Sequence, residues 1–185
     1  MREDPSTFEP WVPSRVAVPA TPAELTVREA TAPDIEGCVA LAELVADGSS
    51  VDWSELFRHN IEHSDRYLVV AKAGDELIGY GRTAWFEPDP EAPPNVAPAG
   101  YYLIGLVVDA SWRRRGVARA IISARLAWVA QRASEAWYFA DVRNRVSIQL
   151  HERAGFKTVT DDFWFPTVTE GGGSHLLGRV TLPPR

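Results

Sequence analysis

The stretch "VVDASWRRRGVARAII", residues 107–122, sets three consecutive arginines against Gly116 in a chain of 185 residues whose formal net charge is −6. Apolar residues enter it as a strand and leave it with helical spacing, so it reads as strand, turn and helix start. Such a turn gathers backbone donors. The first amides of a helix have no intrahelical partner, and its N-terminus carries about half a unit of positive charge. Phosphate can therefore bind there without a basic surface. Gly116 allows close backbone approach, Ala118 keeps the next turn slim, and arginine side chains add charge-assisted hydrogen bonds. Three arginines alone are more simply a solvated charge run; the strand-turn-helix setting is what points to an anion. No Gly-Lys-Ser/Thr follows and the three-glycine fingerprint is missing, which excludes a Walker A loop and a dinucleotide fold.

Working outward, "YYLIGLVVD" before the turn is a continuous apolar strand, buried on both faces, and "GVARAIISARLAWVAQRA" after it a long helix with Val117, Ile121, Ala124 and Val129 inward. Upstream, "ELTVREA" alternates as a strand. A helix follows from Thr31–Asp34 to a stop at Gly48, then a second with Asp52 as N-cap. "RYLVVAKAGDELIGYGRTAWF" turns at Ala73, Gly74 and Asp75 as a hairpin, and the proline-rich residues 87–100 form a loop, functional or disordered. "EAWYFADV" is a buried strand and "NRVSIQLHERAG" a helix capped by Asn144 and stopped by Gly155. "FKTVTDDFWF" and "SHLLGRVTL" close the domain. The order β-α-α-β-β-β-α-β-α-β-β predicts one α/β domain over residues 24–185 with a mixed sheet. Residues 1–23, with five prolines and no period, predict an extended arm from which Trp11 packs back onto the body.

Composition agrees with a single globular domain, at 45% hydrophobic and 24% charged residues. The one cysteine, Cys38, forms no internal disulfide and no Cys/His cluster has metal-ligand spacing, so no metal is expected and a cytoplasmic, reducing setting fits. No secretory signal or membrane span is indicated. The acidic balance argues against a nucleic-acid partner, and suits either a cationic small partner or plain solubility.

Arg113-x-x-Gly116-x-Ala118 after "LVVDASW" resembles the acetyl-CoA pyrophosphate motif of the GNAT N-acetyltransferase superfamily, and "NRVSIQLHERAGF", residues 144–156, resembles its second signature block. The two blocks stand in the family's order and spacing, and the "LHE" form is similar to that of the phosphinothricin-acetyltransferase-like branch. The resemblance covers residues 25–182. It implies an α/β (α+β) fold, a mostly antiparallel sheet of about seven strands splayed in the middle and flanked by about four helices. It further implies that Leu106, Val107 and Val108 present backbone groups to acetyl-CoA. Arg113, Arg114, Arg115, Gly116, Val117, Ala118 and Arg119 would hold the pyrophosphate, and Asn144, Ser147 and His151 would line the thiol end. Asn144 is equally an N-cap and Ser147 a surface residue.

Direct N-acetylation needs a neutral amine, a donor for the developing oxyanion and a proton for the departing thiolate. The Val108 N–H is the expected oxyanion donor. His151 stands where relatives often carry a tyrosine acid; it is an acid, or it only packs or orients a water. Tyr102, eleven residues before Arg113, stands where histone-acetylating relatives carry a carboxylate base, so a direct carboxylate base is absent there and Tyr102 is an acceptor-binding candidate. Glu87, Asp141, Asp161 and Asp162 are the remaining base or acceptor-anchoring candidates, or ordinary loop carboxylates. Trp85, Phe86, Trp137, Tyr138 and Trp164 wall an acceptor pocket or belong to the core. "EGGGSH", residues 170–175, is a lip over the acceptor or a flexible hairpin.

These readings lead to an acetyl-CoA-dependent N-acetyltransferase acting on a primary amine of a small cationic molecule, of aminoglycoside type and hence linked to antibiotic resistance. Protein or peptide N-acetylation and a non-catalytic acyl-CoA sensor are the alternatives. A homodimer is compatible with either.

Overall fold

The computed structural model describes residues 25–46, 51–166, 168 and 174–183. The expected N-terminal arm with Trp11, the helix stop at Gly48 and most of the 170–175 segment lie outside the described residues.

The elements follow the predicted order. Strand β1 (Leu25–Glu29) leads through a 3-10 turn into helix α1 (Ile35–Glu43), where Arg28 grips Asp34 with two hydrogen bonds of 2.7 and 2.8 Å. Helix α2 (Trp53–Glu62) starts at Asp52, whose carboxylate accepts the Glu55 N–H at 2.9 Å, as the N-cap reading requires. Strands β2 (Arg66–Ala73) and β3 (Glu76–Phe86) form the hairpin. Strand β4 (Gly100–Val108), helix α3 (Val117–Val129), strand β5 (Glu135–Asp141) and helix α4 (Arg145–Arg153) follow, and β6 (Lys157–Thr160) and β7 (His175–Thr181) close the sheet.

The sheet has seven strands in the order β1-β2-β3-β4-β5-β7-β6. Only β4 and β5 run parallel, which follows from the α3 crossover between them; the other pairs are antiparallel. Helices α1 and α2 cover one face, burying Cys38, Leu41 and Phe57 on Leu68, Val70 and Tyr80. Helix α3 covers the other, with Val117 and Ile121 against Val69 and Ile78, and α4 joins it over β5. A third cluster of Tyr102, Trp137, Phe163 and Leu177 is roofed by Ala97.

That roof settles the proline-rich loop. Its Val96 bridges Trp164, the Ala97 N–H donates to the Trp164 carbonyl at 2.8 Å, and Asn95 donates to the Asp162 carboxylate at 2.7 Å. The loop is an ordered cover over aromatic rings.

Among the described residues no helix is long and apolar enough to cross a membrane, and no cluster of His, Cys, Asp and Glu could hold a metal.

Candidate active site

Strands β4 and β5 meet at a single paired position, Tyr102 with Trp137, and diverge from there. Among the described residues the edge of β4 that faces β5 thus has no strand partner over residues 103–108, and its N–H and C=O groups need partners from elsewhere. The slot is closed at the Tyr102–Trp137 pair and open towards the start of α3.

A bulge sits just inside the closed end. Pairing with β3 steps from Gly81↔Leu106 to Arg82↔Ile104, leaving Gly105 as an extra residue with φ 59°. Only glycine adopts this backbone at little cost. Past the bulge, the Asp109 N–H donates to the Ile78 carbonyl at 2.9 Å, so strand alternation turns Val107 towards β3 and turns the Leu106 and Val108 amides into the slot. Of the three residues expected to present backbone groups there, Val107 is therefore the exception; its side chain packs with the α1/α2 cluster.

Beyond Val108 the chain makes a 3-10 turn, Ala110–Trp112, held by Ser111 N–H donation to the Asp109 carboxylate at 2.8 Å. Arg113 is extended, Arg114 has φ 64°, and Gly116, the N-cap of α3, has φ 81°. Left-handed residues stand on either side of Arg115, a backbone form suited to presenting successive amides to an anion. Gly116 has no side chain to cap α3, so the amides of Val117, Ala118 and Arg119 keep their donors available. Arg115 packs its guanidinium 4.6 Å from the Trp112 ring centre, while Arg113, Arg114 and Arg119 are exposed at the rim. This donor set, uncapped amides ringed by guanidinium groups, fits a diphosphate.

Helix α4 carries Asn144, Ser147 and His151. Asn144 is the N-cap, its carbonyl oxygen accepting the Ser147 N–H at 3.1 Å. His151 is buried with its ring stacked on Tyr138, centroids 4.1 Å apart and planes 7° apart. Its Nδ1 lies 2.8 Å from the Ser147 carbonyl oxygen, which can only accept, so the proton is on Nδ1. Nε2 is then a bare lone pair, buried without a partner. Burial pushes the imidazole pKa down to about 4, with the Ser147 bond opposing and the Arg125 charge adding. A neutral ring with that tautomer can take a proton and has none to give from Nε2. The ring is thus packed on Tyr138 and bonded to its own helix.

The carboxylate and aromatic candidates do not converge either. Tyr102 is buried and donates its hydroxyl to the Pro98 carbonyl at 2.7 Å, pinning the loop. Trp85 stacks edge-on with Tyr101 on the α3 face, and its indole N–H donates to Glu87 at 3.0 Å. That pair lies at the far end of β3 from the Gly79↔Val108 pairing. Asp141 ends β5 on the slot's rim, where Arg143 binds it at 2.7 Å and lowers its pKa to about 2. Asp161 is exposed in the turn after β6.

Sequence reasoning missed Gly105, Arg66, Arg82 and Arg125. A glycine inside an apolar strand is a bulge signal that could have found the first; nothing local marks the arginines.

Comparison with known proteins supports the same assignment. The sequence matches the acetyltransferase (GNAT) family over residues 38–156. No curated protein matches it. Among solved structures, the ribosomal-protein-S18-alanine N-acetyltransferase from Escherichia coli superposes with a TM-score of 0.65 at 16% identity, covering 88% of this chain and 96% of that one. NAA60 from Arabidopsis thaliana, in complex with a bisubstrate analogue, gives 0.66 at 17% identity, covering 88% and 100%. AAC(6')-Iy, in complex with the bisubstrate analogue CoA-S-monomethyl-acetylneamine, gives 0.66 at 18% identity, covering 78% and 99%. The splayed strands, the uncapped helix start and the family match agree: the chain is an acyltransferase of the GNAT acetyltransferase family, which uses acetyl-CoA.

Proposed function

We propose that this protein acetylates a primary amine of a small molecule by direct transfer within a ternary complex. The observation that carries the reading is the unpaired edge of β4 over residues 103–108, leading to the uncapped start of α3. The slot edges of β4 and β5 would bind the amide groups of an extended chain as a further strand would. The turn at Arg114 and Gly116, with the first amides of α3, would hold a diphosphate, and Arg113, Arg114 and Arg119 would add charge-assisted hydrogen bonds at the rim.

Acetyl-CoA supplies an acyl group activated as a thioester. The Leu106 and Val108 amides, held by pairing with β3, are rigid donors for negative charge developing on an acyl oxygen in the slot. Neither His151 nor Asp141 is suited to moving protons at neutral pH. An alkylammonium, with a pKa of about 10.4, then loses its proton to water, and the protein contributes positioning and charge stabilisation.

The net charge of −6 favours a cationic acceptor of aminoglycoside type. The local charges favour a simpler amine, since Asp141 is already neutralised by Arg143 and Glu87 is engaged with Trp85 away from the slot. The test is thiol release from acetyl-CoA with aminoglycosides, polyamines, amino acids and peptides as acceptors. Turnover with a small amine is expected; cofactor binding without turnover of any small amine overturns the reading.

A further inference from the structure

We infer that the acceptor amine also bears a carboxylate, held by the guanidinium groups of Arg82 and Arg66 on the α1/α2 face of the sheet. The inference rests on the acetyl-transfer reading above and narrows its substrate to the amino-acid class.

Arg82 pairs across the sheet with Leu68 of β2 and Ile104 of β4. Leu68 packs under α1 and α2, and directly paired residues share a face, so Arg82 is on that face too. Arg66 stands two residues before Leu68 on the same strand and therefore on the same side. The Arg82 guanidinium covers the bulge: a Cβ on Gly105 would lie 3.0 Å from its Nε and 3.3 Å from its Nη2. This charge thus stands at the closed end of the slot, opposite the face covered by α3.

Among the described residues neither arginine side chain has a hydrogen-bond partner. The Arg82 side chain makes no hydrogen bond or ion pair among the described residues, although it is half-buried. The Arg66 Nε is buried without a hydrogen bond; the carboxylate of Asp65 is 3.9 Å from it, too far to donate to, and half-exposed. Desolvation lowers the Arg82 pKa, with Tyr80 opposing and the Arg66 charge adding, so the two cations feel each other. Like charges removed from water are costly to hold together, and a ligand anion relieves both terms at once. A guanidinium fork matches the two oxygens of a carboxylate. A polycation would meet repulsion at the same place.

The experiment titrates acetyl-CoA-loaded protein calorimetrically with amino acids and with the amines made by removing their carboxylates: lysine against cadaverine, ornithine against putrescine, β-alanine against ethylamine. Thiol release is measured in parallel. The expected result is that an amino acid binds at least about tenfold more tightly than its decarboxylated partner. Arg82→Gln abolishes that preference, Arg82→Lys keeps part of it, and acetyl-CoA affinity changes by less than about twofold in both. If the Arg82 variants fail to fold, Arg66→Gln, away from the bulge, is expected to reduce the same preference. Equal or tighter binding of the decarboxylated amines, no binding of any amino acid, or unchanged amino-acid affinity in a folded variant overturns the inference. Turnover of amines without carboxylate preference sinks this inference and leaves acetyl transfer standing. Amino-acid binding with no thiol release from any amine does the reverse.

Discussion

Arg125 donates a hydrogen bond from Nη1 to the carbonyl oxygen of Arg82 across 2.9 Å, tying helix α3 to strand β3 beside the bulge. The side chain is fully buried and passes over Gly81, where a Cβ would come within 3.0 Å of its Nε. Burial, with the Arg82 charge adding, pushes its pKa down to about 9, and Nε and Nη2 have no partners. The backbone of Arg82 is thus fixed from the α3 side while its guanidinium is presented on the other.

Truncating this strut should be felt throughout the domain. Arg125→Ala removes a large buried side chain and leaves the Arg82 carbonyl unpaired, so a loss of about 3 kcal/mol in denaturant unfolding is expected. A loss below about 1 kcal/mol would mean that the contact bears little of the fold.

The bulge and the helix start separate strain from fit. Gly105→Ala places a non-glycine residue at φ 59° and crowds the Arg82 guanidinium, whereas Gly116→Ala at φ 81° meets no atom within 4 Å. Both should cost about 1–2 kcal/mol in backbone strain. Acetyl-CoA affinity should fall in both, measured by calorimetry, while amino-acid affinity should fall only in Gly105→Ala.

His151 makes stability depend on pH. Its folded pKa of about 4 lies below the ordinary 6.5, so between these values the unfolded chain binds the extra proton and stability falls as pH drops. The full effect is of order 3 kcal/mol, absent above pH 6.5 and complete below about pH 4. His151→Phe keeps a ring against Tyr138 and removes the titrating lone pair. Its unfolding free energy should be flatter between pH 6.5 and 4, with kcat unchanged at neutral pH; a tenfold drop in kcat would restore the acid role.

With water taking the proton as proposed, the rate should follow the amine. The logarithm of kcat/KM is expected to rise with unit slope towards the acceptor's own pKa, about 10 for an alkyl amine. A plateau beginning below pH 8 would identify a protein group that takes the proton.

Acetyl-transfer chemistry was legible because its marks are local. Residues 107–122 carry their own strand, turn and helix start, and the donors of a helix N-terminus follow from chain connectivity alone. The element order and the caps at Asp52 and Asn144 are local in the same way. Roles that depend on what lies across the sheet were not. His151 has the right spacing on α4 for a slot residue, but Tyr138 from β5 supplies the ring it stacks on. Tyr102 reads as an acceptor-binding candidate, but its hydroxyl donates to the Pro98 carbonyl.

The sequence by itself determined the fold and the cofactor, because periodicity, capping and a glycine at a helix start act over a few neighbouring residues. Tertiary structure alone decided which ionisable groups are neutralised, buried or left facing a ligand. Asp141 is answered by Arg143, while Arg66 and Arg82 share a sheet face and, among the described residues, only Asp65 approaches either, at 3.9 Å from Arg66. Charge interactions depend on distance and desolvation, and both are set only when strands far apart in sequence pair.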